Sequence, residues 1–473
     1  MYRTGLWKYQ GFLLGGDALI LLGAFTMGME YWWLKAGPDS GDFFPSVFLS
    51  LVSYLLGLAA FDLYEIHTNY RTHKALTMTR VVSAVLVAGL GLSGLFYLFP
   101  GVKFPRGVFF IQMLLAIPLL FFWRINFWRL RQELLVPKRV LIVGAGEAGR
   151  AALGILQHFG SEYVIVGFVD DDPAKRTRPI GNYDVLGSSK DLVSLARNYG
   201  VHGIVVAIAG QKQERLIQAT LQCRMEGVFV SDLLTLGEEL TGRILLEYAR
   251  GSWFVFAPGF LILHHQAFQR VKRLTDIACA MAGFILASPI LLVAALLIKL
   301  ESRGPVFFLQ TRVGQNEQLF EAVKLRTMAI GSDARSPYTA ERDPRITRVG
   351  RILRFLRIDE IPQMWNVLKG EMSFIGPRAE WDILVNEYKE KIPYYSVRHV
   401  VKPGITGWAQ VNYPYGRSLG DAVRKLEFDL YYAKNMSMAL DLRILFRTIS
   451  VVMLGERWVV KKRIEEQAYY PQG

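Results

Sequence analysis

Cysteine is scarce in this chain of 473 residues: Cys223 and Cys279 are the only two, and the second lies in an apolar stretch. That scarcity excludes a disulfide framework and a cysteine-based metal centre. Zinc, helix-turn-helix and RNA-binding signatures are lacking as well, so the formal charge of +14 is not read as a sign of nucleic acid. There is no internal repeat and no low-complexity tract. No small-residue cleavage signature follows the first apolar run, which reads as a retained anchor and not as a signal peptide. A Tyr-x-x-x-Lys pair is lacking after Gly149; the two in the chain, Tyr31 to Lys35 and Tyr70 to Lys74, both lie ahead of it. A glycine-rich α/β enzyme that dehydrates or epimerises a nucleotide-bound sugar would need such an acid–base pair.

What is present is apolar and basic. Hydrophobic residues make up 52% and charged ones 20%, a mixture that suits membrane segments joined to aqueous domains. Four apolar stretches, near 12–34, 44–64, 79–99 and 107–128, approach the roughly 20 residues a helix needs to cross the hydrocarbon. Arg3 and Lys8 precede them, Arg71 and Lys74 lie in the second loop, and Arg124, Arg129, Arg131, Lys138 and Arg139 come at the end. The outside loop GPDSGDFFP is acidic, while GVKFPR carries two basic residues. The balance places both ends of a four-helix unit in the cytoplasm. Asp17 lies inside the first span, where it reads as a carboxylate satisfied near the interface or within the bundle and not as part of a site.

From about 136 the texture changes to short Val/Ile runs between helical stretches. KRVLIVGAG, YVIVGFVDDD, HGIVVAIAG and VFVSDL read as strands, with helices between them, which predicts a parallel, doubly wound Rossmann-like domain. Gly144-x-Gly146-x-x-Gly149 follows a strand and opens a helix, with Asp170 downstream, as a dinucleotide fingerprint requires, so these four residues are candidates for nucleotide binding. A connector with Gly251, Pro258 and Gly259 leads to the apolar segment 274–298. Ser288-Pro289 sits just past its middle, and basic residues flank both ends: Lys272 and Arg273 before, Lys299 and Arg303 after. Proline breaks helix bonding, and symmetric basic flanks do not suit a simple crossing. The segment is therefore expected to be a re-entrant helix–break–helix, with backbone groups at the break needing Ser288 or neighbouring protein as partners.

The stretch 342–380 carries Arg342, Arg345, Arg348, Arg351, Arg354 and Arg357 at every third position. On a helix at about 100° per residue, Val349, Ile352, Leu353 and Leu356 form one stripe and the last four arginines the opposite face. The run leads into Asp359-Glu360 and Pro362. Arginines beside a carboxylate pair suit phosphates plus a divalent metal, and two adjacent helical carboxylates point in different directions and so take different jobs.

The blocks KRLTDIACA, ASPILLVAALLIKLESRGPVFFLQTRVG, FEAVKLRTM, DPRITRVGRILRFLRIDEIPQMWNVLKGEMSFIGPR and VKPGITGWAQVNY resemble the bacterial polyprenyl-phosphate sugar-phosphate transferases. These are the large monotopic phosphoglycosyl transferases that start exopolysaccharide or O-antigen assembly. The resemblance covers roughly 268–473. It implies a ping-pong transfer of a sugar-1-phosphate from a UDP-sugar to polyprenyl (undecaprenyl) phosphate, with UMP released. Asp359 would be the nucleophile, forming an aspartyl phospho-sugar, and Asp359 with Glu360 would hold Mg²⁺. Lys324, Arg326, Arg354, Arg378 and Arg398 match basic positions of the family and are the implied phosphate contacts. Ser288-Pro289 matches its re-entrant break. Where the family often reads Pro-Arg-Pro, this chain has Pro377-Arg378-Ala379. The resemblance also implies a catalytic domain at the cytoplasmic face of the bacterial inner membrane, a homodimer, and a Rossmann-like domain that serves as an accessory module.

The expected architecture is a membrane α-helical bundle, an α/β Rossmann-like domain and an α-rich monotopic catalytic domain with a re-entrant membrane helix. The boundaries are 1–135 for the four-helix transmembrane unit, 136–250 for the cytoplasmic accessory domain, 251–267 for a linker and 268–473 for the catalytic domain. The arginine positions recognise phosphates and not hydroxyl stereochemistry, so the sugar is not named by them.

Overall fold

The computed structural model describes residues 3–37, 43–61, 63–64, 74–98, 105–134, 137–160, 162–176, 178–208, 214–257, 260, 266–329, 343–414, 416 and 418–454. Arg71, Pro258, Gly259, Arg342 and most of the two expected outside loops lie outside the described residues. One compact unit runs up to Thr241 and a second begins at Gly242.

The first unit opens with helices α1 (Arg3–Ala36), α2 (Phe44–Ala60), α3 (Lys74–Leu98) and α4 (Arg106–Leu134). Within α1, α3 and α4 lie segments long and apolar enough to cross a membrane, whereas α2 has 17 residues, at the short end of the range of about 17–25. Helix α1 packs on α4 and α2 on α3. At Gly57 a Cβ would come within 2.8 Å of the Ala84 carbonyl, so the missing side chain lets α2 and α3 approach closely. Polar groups are paired across the helices: Ser50 Oγ donates to Gln112 Oε1 at 2.9 Å, and Gln112 Nε2 donates to the Leu21 carbonyl at 3.3 Å. Asp17 is buried, with its carboxylate 2.6 Å from Arg124 Nη2, and Arg124 Nη1 donates to the Leu63 carbonyl at 2.7 Å. The carboxylate is thus paired within the bundle through Oδ2, while its Oδ1 is buried without a hydrogen-bond partner among the described residues.

Five strands follow: β1 (Lys138–Val143), β2 (Tyr163–Val169), β3 (Val185–Gly187), β4 (Gly203–Val206) and β5 (Phe229–Asp232). They form one parallel sheet in the order β3-β2-β1-β4-β5, interleaved with α5 (Glu147–Phe159), α6 (Leu192–Asn198), α7 (Glu214–Met225) and α8 (Leu233–Thr241). The central strands β1 and β4 are buried in near-continuous runs, as a sheet covered on both faces demands. Strand β3 was not foreseen: three residues show no period. The glycine-rich turn has the expected steric logic. Gly144 has φ of +111°, and a Cβ there would lie 2.3 Å from the Ala207 carbonyl; a Cβ at Gly149 would lie 1.9 Å from the Gly144 carbonyl. Gly146 faces open space. Asp170 Oδ2 accepts from the Ala145 amide in that turn at 2.7 Å, and Lys175 Nζ lies 3.2 Å away.

The second unit contains α9 (Gly251–Phe256), α10 (Gln266–Glu301), the antiparallel hairpin β6 (Phe307–Val313) and β7 (Leu319–Leu325), α11 (Arg348–Phe355) and α12 (Met364–Lys369). Then come β8 (Ser373–Ile375), α13 (Asp382–Lys391), β9 (Gly404–Thr406), α14 (Trp408–Asn412), α15 (Leu419–Asn435) and α16 (Met438–Leu454). The unit begins ahead of the expected boundary at 250. Ile244, Leu246, Trp253 and Phe254 pack with Tyr388, Tyr395, Leu426 and Leu430, and Trp408 Nε1 donates to the Gly242 carbonyl at 2.7 Å.

Helix α10 runs from Gln266 to Glu301 through Ser288-Pro289, so the expected break is no gap in the helix. Pro289 withholds the N–H that the Ile285 carbonyl would accept, and Ser288 Oγ donates to that carbonyl instead at 2.8 Å. One face of α10 is buried through Lys272, Asp276, Ala280, Ala287, Ala294 and Ile298. The opposite face exposes Leu274, Ile285, Leu286, Leu292, Leu296 and Leu300.

Candidate active site

The acidic pair sits at the end of a short amphipathic helix. Thr347 caps α11 by accepting the Gly350 amide at 2.9 Å, and Glu301, the last residue of α10, accepts the Arg348 amide at 2.7 Å and the Val349 amide at 3.1 Å. Gly350 is required: a Cβ there would lie 2.1 Å from the Thr327 carbonyl. Arg357 then adopts the left-handed region at φ 57°, turning the chain into a 3₁₀ segment, Ile358–Gln363, that carries Asp359 and Glu360.

The two carboxylates face different surroundings. Glu360 Oε1 accepts from Lys324 Nζ at 3.2 Å and Arg378 Nη2 at 2.6 Å, and its Oε2 accepts from Arg378 Nη1 at 3.2 Å. Burial opposes its ionisation, yet Arg378 and Lys324 hold the carboxyl well below the usual range. Asp359 is the opposite case: burial and then the Glu360 charge push its carboxyl up, against the pull of Lys324, Arg354 and Arg357. Asp359 Oδ1 is buried without a hydrogen-bond partner among the described residues. Lys324, on β7, is driven by burial down to about 8, with Glu360 pulling the other way.

Of the implied phosphate contacts, Lys324 and Arg378 meet at Glu360, and Arg354 stands near Asp359 with its Nε donating to Thr327 Oγ1 at 2.8 Å. Arg326 and Arg398 are placed elsewhere. Arg326 donates to the Arg303 carbonyl at 2.7 Å and the Ser302 carbonyl at 2.9 Å, closing the C-terminal end of α10. Arg398 is buried against Asp429 and Tyr395. Arg345 pairs with its neighbour Asp343 at 2.7 Å, so the arginine run does not converge on one place. The expected apolar stripe on α11 divides as well. Leu353 is buried with Ala294, Ile298 and Leu325, and Val349 packs beside it, but Ile352, Phe355 and Leu356 are exposed, Phe355 at 86%. Helix α10 and β7 cover only one side of this short helix.

Two contributors were not singled out from the sequence. Arg312 on β6 and Gln363 line a small cleft with Lys324, Arg378, Ala379 and Gly404. Their signal was in the quoted blocks, TRVG and DEIPQ, where nothing distinguishes them from packing residues. The charge set fits a divalent metal of a sparse kind. No cluster of three or more metal-ligating side chains occurs among the described residues. Mg²⁺ is commonly bound by only one or two carboxylates plus substrate phosphates, and the unpartnered Asp359 Oδ1 beside Glu360 matches that demand.

The bacterial sugar transferase family matches residues 267–455, and a CoA-binding domain family matches residues 59–231. The chain is 42% identical over 235 residues to the UDP-N-acetylgalactosamine-undecaprenyl-phosphate N-acetylgalactosaminephosphotransferase of Aeromonas hydrophila, covering 50% of this chain and 54% of that one. It is 34% identical to the UDP-glucose:undecaprenyl-phosphate glucose-1-phosphate transferase of Escherichia coli K12, covering 56% of this chain and 58% of that one. It is 40% identical to the exopolysaccharide production protein PSS of Rhizobium leguminosarum bv. phaseoli, covering 38% of this chain and 93% of that one. The chain therefore spans little more than half the length of the first two relatives and most of the third. The chain belongs to the bacterial sugar transferase family, the polyprenyl-phosphate sugar-1-phosphate transferases.

Proposed function

We propose that this chain transfers a sugar-1-phosphate from a UDP-sugar to polyprenyl phosphate at the cytoplasmic face of the bacterial inner membrane, releasing UMP. It is the first membrane step of exopolysaccharide or O-antigen assembly. The observation that carries the reading is the unequal state of the acidic pair: Glu360 is held by Lys324 and Arg378, whereas Asp359 keeps a buried oxygen unpartnered.

The Asp359 carboxylate attacks the β-phosphorus of the donor. The bond from that phosphorus to the bridging oxygen breaks, and UMP leaves with the electron pair. The sugar-phosphate remains on Asp359 as a mixed anhydride, which splits one difficult transfer into two. A phosphate oxygen of the polyprenyl acceptor then attacks the same phosphorus, Asp359 departs as a carboxylate, and polyprenyl-diphospho-sugar is the product. Lys324, Arg354 and Arg378 offset the charge of two anions that must approach each other. Asp359 and Glu360 would hold Mg²⁺, which would supply further charge neutralisation for the donor diphosphate.

The reading also assigns α10 a one-sided, re-entrant place in the bilayer. A straight helix of its 36 residues is about 54 Å long at 1.5 Å per residue. Both ends nevertheless bind the same unit: Lys272 Nζ lies 2.6 Å from Asp441, and Arg326 donates to the Arg303 carbonyl. A crossing that left the catalytic unit on one side would separate those ends. The exposed leucines of α10 and the exposed Ile352 and Phe355 of α11 supply the apolar contact with lipid.

The test is UMP release from a panel of UDP-sugars with Mg²⁺ and polyprenyl phosphate, for wild type and Asp359→Asn. Release with one donor that stops in the folded variant supports the reading. Equal release by both proteins removes Asp359 as nucleophile, and no release by folded wild type with any donor overturns the reaction.

A further inference from the structure

Arg398 lies in the short turn Tyr395–Val400, and its guanidinium is 4% exposed. Its Nη2 is 2.7 Å from the carboxylate of Asp429 on α15 and also donates to the main-chain carbonyl of Arg378 at 2.9 Å. Its Nη1 donates to the Tyr395 hydroxyl at 2.7 Å. With a carboxylate, a carbonyl and a phenol on this planar fork, two of its three nitrogens are already engaged inside the protein.

Arg378 is the residue whose own guanidinium holds both oxygens of Glu360. Its turn is tight. A Cβ at Gly376 would lie 2.3 Å from the Lys402 carbonyl. The Gly376 amide donates to Thr406 at 2.9 Å, and the Pro377 carbonyl accepts from Gly404 at 2.8 Å. Strand β9 and its flank therefore fix the two residues ahead of Arg378, and Arg398 fixes Arg378 itself.

The cluster is not what stability alone would select. Asp429 Oδ1 and Arg398 Nε are buried without partners among the described residues. An incompletely bonded buried pair is commonly no better for stability than packed hydrocarbon. Hydrocarbon, however, cannot donate to the carbonyl of Arg378.

We infer that Arg398 and Asp429 are positioning residues for the transfer reaction: Asp429 orients the Arg398 fork, the fork fixes the Arg378 carbonyl, and the Arg378 guanidinium is thereby aimed at Glu360. The kinetic form of this inference rests on the function proposed above; its structural form does not.

The experiment is a double-mutant cycle of Arg398→Lys and Arg378→Lys, read by UMP release, with hydrogen exchange of residues 374–380 measured on the same full-length proteins. Lysine keeps the charge and loses the fork. Arg398→Lys is expected to lower kcat by about 10–100-fold, the range for residues that orient a ligand-bearing neighbour, with a smaller change in donor KM. In the Arg378→Lys background it costs nothing further. Asp429→Asn reproduces the loss, and exchange in 374–380 quickens in both Arg398→Lys and Asp429→Asn. Losses that multiply across the cycle assign Arg398 a direct contact with substrate and overturn the inference. Unchanged exchange in 374–380 overturns it whether or not UMP is released. Should Arg398→Lys not fold, Tyr395→Phe removes one acceptor of the fork and carries the same cycle. Wild type without UMP release counts against the proposed reaction, and the exchange arm still decides the positioning role.

Discussion

Two buried acid–base clusters, one in each unit, make an instructive contrast. In the helical bundle Asp17 meets Arg124, and the remaining arginine nitrogen that bonds does so to the Leu63 carbonyl. One negative charge is matched by one positive charge. In the second unit Asp359 and Glu360 stand among Lys324, Arg354, Arg357 and Arg378, and one carboxylate oxygen is left bare. Burial of charge is common to both and distinguishes neither. A buried carboxylate oxygen without a hydrogen-bond partner among the described residues is common to both as well, since Asp17 Oδ1 has none. The difference lies in surplus cation, which an anionic substrate would complete.

The contrast is sharpened most by Asp359→Asn. Loss of the nucleophile should reduce UMP release by roughly 1,000-fold or more while the unfolding midpoint stays near wild type. A folded variant with near-normal turnover would put Asp359 on the same footing as Asp17. Next in size, Arg124→Met strands the Asp17 carboxylate and should cost about 3–5 kcal/mol of stability, seen as a lower thermal unfolding midpoint. Adding Asp17→Leu should recover most of that loss. A midpoint indifferent to Arg124→Met would mean that the bundle pair is not a closed structural unit.

The smallest effect concerns pH. Lys324 has its pKa lowered to about 8, so its ammonium is lost as the pH rises through that value, and with it the charge beside Glu360. The kcat/KM profile of the free enzyme should therefore fall on the alkaline side near pH 8, and Lys324→Arg should carry that limb out of the accessible range. An identical alkaline limb in both proteins would remove Lys324 from the charge balance.

Much of this arrangement was legible in the sequence, for reasons that differ by region. The bundle helices and strands β1, β2, β4 and β5 announce themselves by apolar length or Val/Ile runs between helical stretches. Strand β3 is too short to carry a period and is held by its neighbour β2. Asp359 and Glu360 stand out at the end of the arginine run, and the angle between successive helical side chains implies different surroundings for them. Their roles as nucleophile and metal ligand come only from the resemblance. Arg326 and Arg398 show where residue type stops being informative. A guanidinium serves a phosphate, a helix C-terminus or a buried carboxylate equally well, and tertiary contacts alone decide which. The same holds for Ile352 and Leu356, whose spacing with Leu353 is sound but which have no protein behind them.

Helix α10 carries two kinds of constraint on one cylinder. Its outer face asks for greasiness alone, so many aliphatic sequences would serve there. Its inner face is a ruler: Lys272 at one end and Glu301 at the other must reach Asp441 and the first amides of α11 at once. Deleting a single residue between them would rotate everything beyond by about 100° and shift it by about 1.5 Å, pulling Glu301 from α11 and displacing the turn that holds Asp359. The helix is free in composition on one side and fixed in length by the other.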